Sequence, residues 1–212
     1  NLMDIKVMGT LGLTEDDVAA IKQVDGVENA EGAYGTDVMC GEGEKQKVLH
    51  VEAVDQTMNR ISVTEGKAPE KSGEIFLDCI FAESNGYKVG DQITLKEGGD
   101  SELLKKTDYT VVGLGESPLY ISYNRGNSTL GSGEVNGFAY VLNEDFDQEV
   151  YTQIYVQAHG AQDLISYTDA YDSLIERVQE QVEGIEAERC QVRYDEIVDC
   201  LLYTSDAADE LT

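Results

Sequence analysis

Apolar and polar residues alternate from Asp4 to Thr10, with Ile5 and Val7 on one side, which predicts a half-buried strand. The period then lengthens. In "LTEDDVAAIKQVDG" Val18, Ile21 and Val24 recur at helical spacing, so a helix is expected there. Thr14 is a suitable N-cap, Asp17 three residues on completes a capping-box variant, and Glu15 and Asp16 suit the positive helix end. Gly26 stops the helix. The stretches "VENAEGAYGTDVMC" and "KQKVLHVEAVD" read as two strands joined by the turn "GEGEK".

The middle of the chain is mostly strand-like. Glu74–Leu77 predicts a strand, Asp78–Ser84 a short helix ended by Asn85-Gly86, and Gly90-Asp91 a turn into a strand carrying Ile93 and Leu95. "DYTVVGLGE" and "GFAYVLNE" predict two more strands. After Asp147 the mixed pattern returns. "VYTQIYVQAHG" alternates, and "SYTDAYDSLIERVQEQVEGI" places Tyr171, Leu174, Ile175, Val178, Val182 and Ile185 along one helix stripe. Ile175, Val178, Val182 and Ile185 also fit a heptad seam, and "EAERCQVRYDEIVD" keeps helical propensity beyond it. The predicted class is α+β: an α+β part formed by residues 1–57 and 148–199, interrupted by a smaller β-rich part at 58–147.

Composition narrows the function. The chain carries 42 acidic and 15 basic residues, a formal net charge of −27. Phosphate contacts need a basic face, so nucleic acid is not an expected partner, and anionic lipid is disfavoured for the same reason. No apolar run is long enough to span a membrane. The chain starts at Asn1 without an initiator Met, so it reads as a piece of something longer. Cys40, Cys79, Cys190 and Cys200 show no C-x-x-C spacing, and neither a zinc site nor a disulfide framework is expected; a Cys40–Cys79 pairing is left open.

No motif of reactive chemistry emerges. "GSGEVNG" lacks the third glycine of a dinucleotide fingerprint, and there is no P-loop or nucleophile elbow. His50, inside a strand, and His159, at a strand end, read as surface or packing residues. "NEDFDQE" lacks the glycine of a calcium loop. No catalytic residue, cofactor or metal is therefore expected. One stretch is unusual. "SPLYISYNRGNSTLGSGEVNGFAY" holds only Arg125 and Glu134 as charged residues. Its glycines allow turns, and tyrosine with arginine is a common make-up for contact hot spots. Ser117–Gly137 is expected to form a contact surface anchored by Tyr120, Tyr123 and Arg125, the competing reading being a β-segment packed on its own subdomain.

Three stretches carry a family resemblance. "GEIFLDCIFAESNGYKVGDQITL", through Gly73, Glu74, Ile75, Leu77, Ala82, Gly86, Gly90, Asp91 and Leu95, is similar to a segment of the extracytoplasmic domains of MacB-like, FtsX-family ABC transporter permeases. "DIKVMGTLGLTEDDVAAIKQVDGVENAEG" resembles the opening of those domains, and "ESPLYISYNRGNSTLGSGEVNGFAYV", residues 116–141, resembles a segment of one bacterial subgroup. The resemblance covers residues 3–199. It implies a porter-like α+β subdomain interrupted by a β-rich one, outside the bacterial cytoplasmic membrane and joined to it by flanking helices. It implies a non-catalytic role that couples cytoplasmic ATP hydrolysis to export or to an outside partner. The implied partners are a cytoplasmic ATP-binding cassette subunit and a second permease copy or sibling. The alternative is a secreted or surface-bound enzyme or binding module acting on cell-envelope glycans. The last residues, "CLLYTSDAADELT", resemble translated sequencing-adaptor read-through, so residues 200–212 are expected to be a non-native, disordered tail.

Overall fold

Thr14 caps α1 (Glu15–Lys22) in the computed structural model of the protein, which describes residues 2–54, 57–98 and 103–209. The cap is reciprocal: Asp17 N donates to Thr14 Oγ1, and Thr14 N donates to Asp17 Oδ2 at 2.7 Å. Before α1 runs β1 (Ile5–Leu13) and after it β2 (Val27–Ala33). Then come β3 (Gly35–Cys40), β4 (Lys47–Ala53), β5 (Ser62–Gly66), β6 (Glu74–Asp78), α2 (Cys79–Asn85), β7 (Gln92–Glu97), β8 (Asp108–Glu116), β9 (Gly137–Val141) and β10 (Tyr151–Ala158). Two helices, α3 (Asp169–Glu183) and α4 (Glu186–Asp209), follow.

The described residues form two compact units, one of Asp4–Gly32 with those from Ile154 to Asp209, the other of those within Ala33–Gln153 with Leu2 and Met3. The first is α+β, with a three-stranded sheet in the order β1-β10-β2. Thr168 caps α3, whose Val178 and Val182 are buried. Tyr171 donates its hydroxyl to Asp4 at 2.7 Å, and burial with that bond pushes the phenol up to about 12. Arg189 of α4 donates to Asp17 at 2.7 Å. Burial would raise the Asp17 carboxyl, but the bonds from Thr14 and Arg189 outweigh it and hold the group below its ordinary value.

The second unit is a closed ladder. Its strands run β5-β8-β6-β9-β4-β3-β7, and β7 pairs again with β8. One edge of β8 is shared: Asp108–Thr110 pair with β7, while Gly113–Glu116 pair with β5. The β4–β9 and β6–β8 pairs are parallel and the others antiparallel. Gly113 and Gly115 let β5 lie against β8, since a Cβ at either would stand 2.0 Å from a carbonyl oxygen of Lys67 or Ser62. Alternation then divides the side chains of β6 and β9. Ile75, Leu77, Ala139 and Val141 enter the main core, whereas Phe76, Phe138 and Tyr140 form a second cluster on the opposite face.

Three features depart from the sequence reading. "VENAEGAYGTDVMC" is two strands in different sheets, not one. The break falls at Tyr34, whose ring stacks on Phe146 at 5.1 Å and whose carbonyl accepts from Ala53 N. β3 and β4 consequently belong to the seven-stranded sheet, although the reading grouped residues 1–57 with the outer part. β5, with every residue exposed, has no alternation to betray it. The segment from Cys200, expected to be disordered, is helical as far as Asp209; residues 210–212 lie outside the described residues.

Candidate functional site

The outer faces of β6 and β9 supply the floor of the site. Phe138 meets Tyr140 edge-on at 5.8 Å and 69°, and Phe76 meets Tyr140 at 6.4 Å and 62°. Such edge-to-face contacts suit aromatic quadrupoles. The residues between β8 and β9 cover this floor. Tyr120 stacks on Phe138 at 4.7 Å and 13°, and Ser117 Oγ shares a 2.7 Å hydrogen bond with the Tyr140 hydroxyl.

Arg125 closes the first turn of that loop. Its Nε donates to Asp78 Oδ2 at 2.9 Å, and its Nη1 donates to the carbonyls of Tyr120 at 2.6 Å and Ser122 at 2.5 Å. The guanidinium also lies 5.4 Å from the Phe138 ring centre, within cation–π range. Drawing the 120 and 122 carbonyls inward leaves Ile121 and Tyr123 85% and 87% exposed. Beside them is an open cleft of about 480 Å³, lined by Ile80, Glu116, Pro118 and Tyr120 among others.

Behind Tyr120 is a charged group of three. His50 Nδ1 is 2.6 Å from Asp37 Oδ1, and its Nε2 is 3.4 Å from Glu52 Oε1. Tyr120 donates to the same Glu52 oxygen at 3.1 Å, and Ser128 bonds Asp37. Burial pulls the imidazole down, but bonds to the two carboxylates outweigh it and push His50 up to about 9. Burial and the Glu52 charge raise the Tyr140 phenol. Burial likewise opposes ionisation of Asp37, yet the His50 and Ser128 bonds hold it below the ordinary carboxylate value. With its proton held at neutral pH and both ring nitrogens engaged, His50 is a fixed cation rather than a general base.

The three residues singled out in the sequence share this loop but differ in setting. Tyr123 faces solvent, Tyr120 is half-buried, and the Arg125 side chain is buried against Asp78. Sequence reasoning missed Ile121, Phe138 and the Asp37–His50–Glu52 group. Two signals were available. His50 and Glu52 sit two apart on one strand, hence on one face. Asp78 is a single acid inside the apolar run "IFLDCIF", which calls for a buried partner. Elsewhere, Asp145 of "NEDFDQE" is buried and accepts from Ser72 Oγ and Gly73 N, so its carboxylate ties down a turn. Cys40 and Cys79 are free thiols, and burial pushes Cys40 up to about 11.

Several solved structures resemble the chain. The extracellular domain of the noncanonic ABC-type transporter YknZ from Gram-positive bacteria is 15% identical, with a TM-score of 0.47, over 82% of this chain and 87% of that one. The periplasmic region of MacB from Actinobacillus actinomycetemcomitans is 11% identical, with a TM-score of 0.43, over 84% and 76%. A domain of a putative permease protein from Porphyromonas gingivalis is 17% identical, with a TM-score of 0.42, over 86% and 81%. No protein-family model and no curated protein matches the chain.

Proposed function

We propose that the protein is the extracytoplasmic domain of a bacterial ABC transporter permease. In this reading it is non-catalytic and couples ATP hydrolysis by a cytoplasmic cassette subunit to export, or to a partner outside the membrane. The observation that carries the reading is the setting of the Gly73–Leu95 motif. Its residues fold as strand, capped helix, left-handed Gly86, turn and strand, inside a β-rich unit inserted into an α+β one. The family resemblance implies an insertion of this kind, though of a β-rich part smaller than Ala33–Gln153. Coupling of this kind needs stiff elements that can shift between two states rather than a reactive side chain. β1 and the α3–α4 pair are the stiff elements that would join the membrane part.

The 117–137 loop is the proposed contact surface, for the partner permease, a coiled coil continuing from the closing helix, or the substrate. Ile121 and Tyr123 make the contact; Tyr120 and Arg125 hold them in place. The test uses the complete gene in cells. Deleting residues 4–199 should leave membrane insertion and association with the cassette subunit intact while abolishing transport. Release of soluble fragments from cell-wall glycan by the purified chain, lost on changing one carboxylate, would instead favour the envelope enzyme.

A further inference from the structure

Three of the bonds that attach the loop over the aromatic floor to the second unit run to acidic side chains. Tyr120 hangs from Glu52, Ser128 from Asp37, and Arg125 from Asp78. His50 is a cation in contact with both of the first two carboxylates. Glu52 is only 3% exposed, so water cannot take over the work of that cation. Gly35 leaves room for the imidazole: a Cβ there would come within 3.1 Å of His50 Nε2.

We propose that His50 is a positioning residue that latches the 117–136 loop onto the outer face of β6 and β9, by balancing the two carboxylates from which the loop hangs. Among the described residues, the titratable groups that face it are Asp37 on β3, Glu52 on its own strand, Tyr120 from the loop, and Tyr140 on β9, which interacts with Glu52. Without the imidazolium, Glu52, almost fully buried, shares the site with Asp37, whose side chain is 24% exposed, and loses the cation in contact with both. Water must then enter, and it enters by lifting the residues that seal the group, Tyr120 and Ser128. The main core does not depend on this balance, because its side chains lie on the opposite face of β6 and β9. The latch is a property of this chain whether or not the loop meets a partner.

Trypsin reads the latch directly. Cleavage after Arg125 requires a free guanidinium, and in the closed loop that group is 7% exposed with three hydrogen bonds. In the full chain, His50→Gln should speed cleavage after Arg125 by at least about tenfold, since proteolysis follows the open population. Cleavage after Lys67 and Lys71, both outside the loop, should keep its rate. Adding Asp37→Asn and Glu52→Gln to His50→Gln removes the imbalance and should return Arg125 cleavage toward the wild-type rate. Equal rates in wild type and His50→Gln would overturn the latch. So would a parallel rise at Lys67 and Lys71, or a triple variant as open as the single one.

Hydrogen exchange on the unmodified chain decides the matter independently, should His50→Gln fail to fold. The amides of Tyr120, Ser128, Gly133 and Val135 are bonded within the loop. Raising the pH from neutral to above about 9 should lower their protection relative to the amides of β6. Unchanged loop protection, or an equal loss in β6, would overturn the proposal.

Discussion

Arg125 meets Asp78 at 2.9 Å with both side chains withdrawn from water, 7% and 1% exposed. A lone arginine in a glycine-rich, nearly neutral loop is thus an internal fastening. The same carboxylate accepts from Ile80 N through its other oxygen and so caps α2. One aspartate joins the loop, a strand end and a helix start.

Arg125→Ala should destabilise the protein by about 3–5 kcal/mol, because it strands a buried carboxylate. Urea unfolding measures this. Arg125→Lys should recover only part of the loss, since a single ammonium cannot reproduce the planar fork that reaches Asp78 and two carbonyls.

Ile121 and Tyr123 behave oppositely. Changing both to alanine should shift stability by no more than about 0.5 kcal/mol, as expected for exposed side chains with no special role. In the complete transporter the same pair should reduce transport. A folded variant with full transport would remove the loop from consideration as a contact surface.

Val178→Asp should cost roughly 2–4 kcal/mol, because it forces an unpaired charge into a position that is 1% exposed. Gly26→Ala should also destabilise, by about 1 kcal/mol or more. Gly26 sits at φ +87, and a Cβ there would come 2.9 Å from Val178 Cγ2. Thermal melts of the two single variants and the double variant would show non-additive losses, since the two sites touch.

The pH dependence has a definite sign. His50 is raised from 6.5 to about 9 on folding, so it contributes stability fully below 6.5 that is lost as pH rises through about 9. Asp37 and Asp17 are lowered, so their contribution is present above their ordinary 3.8 and is lost as pH falls below it. Chemical denaturation across this range should show a plateau with losses on both sides. His50→Gln should flatten the alkaline limb and leave the Asp17 part of the acid limb in place.

Local chemistry made much of the fold legible. The Thr14–Asp17 capping box, the strand–helix–turn of Glu74–Leu95 and the Val178–Val182 stripe all follow from contacts a few residues apart. Non-local partners stayed hidden. Nothing near Tyr34 says that the chain changes sheets there, because the cause lies at Phe146 and Tyr151. The site was half legible for the same reason. Composition marked the loop, but Arg125 could be assigned inward only once Asp78, 47 positions away, was placed beside it. His50 looked like a packing residue because its significance depends on Asp37 and on a loop tens of residues distant.

The chain leaves the α+β unit within β2 and returns within β10, and those two strands are neighbours in one sheet. Tension applied between residues 4 and 199 would therefore run through the hydrogen bonds of that sheet and bypass the whole of Ala33–Gln153. In a single-molecule pulling experiment the closed ladder should stay slack until β2 and β10 part, and then give a second, separate rupture. A domain wired in this way can transmit strain along its load-bearing sheet while the loop between β8 and β9 stays unstressed.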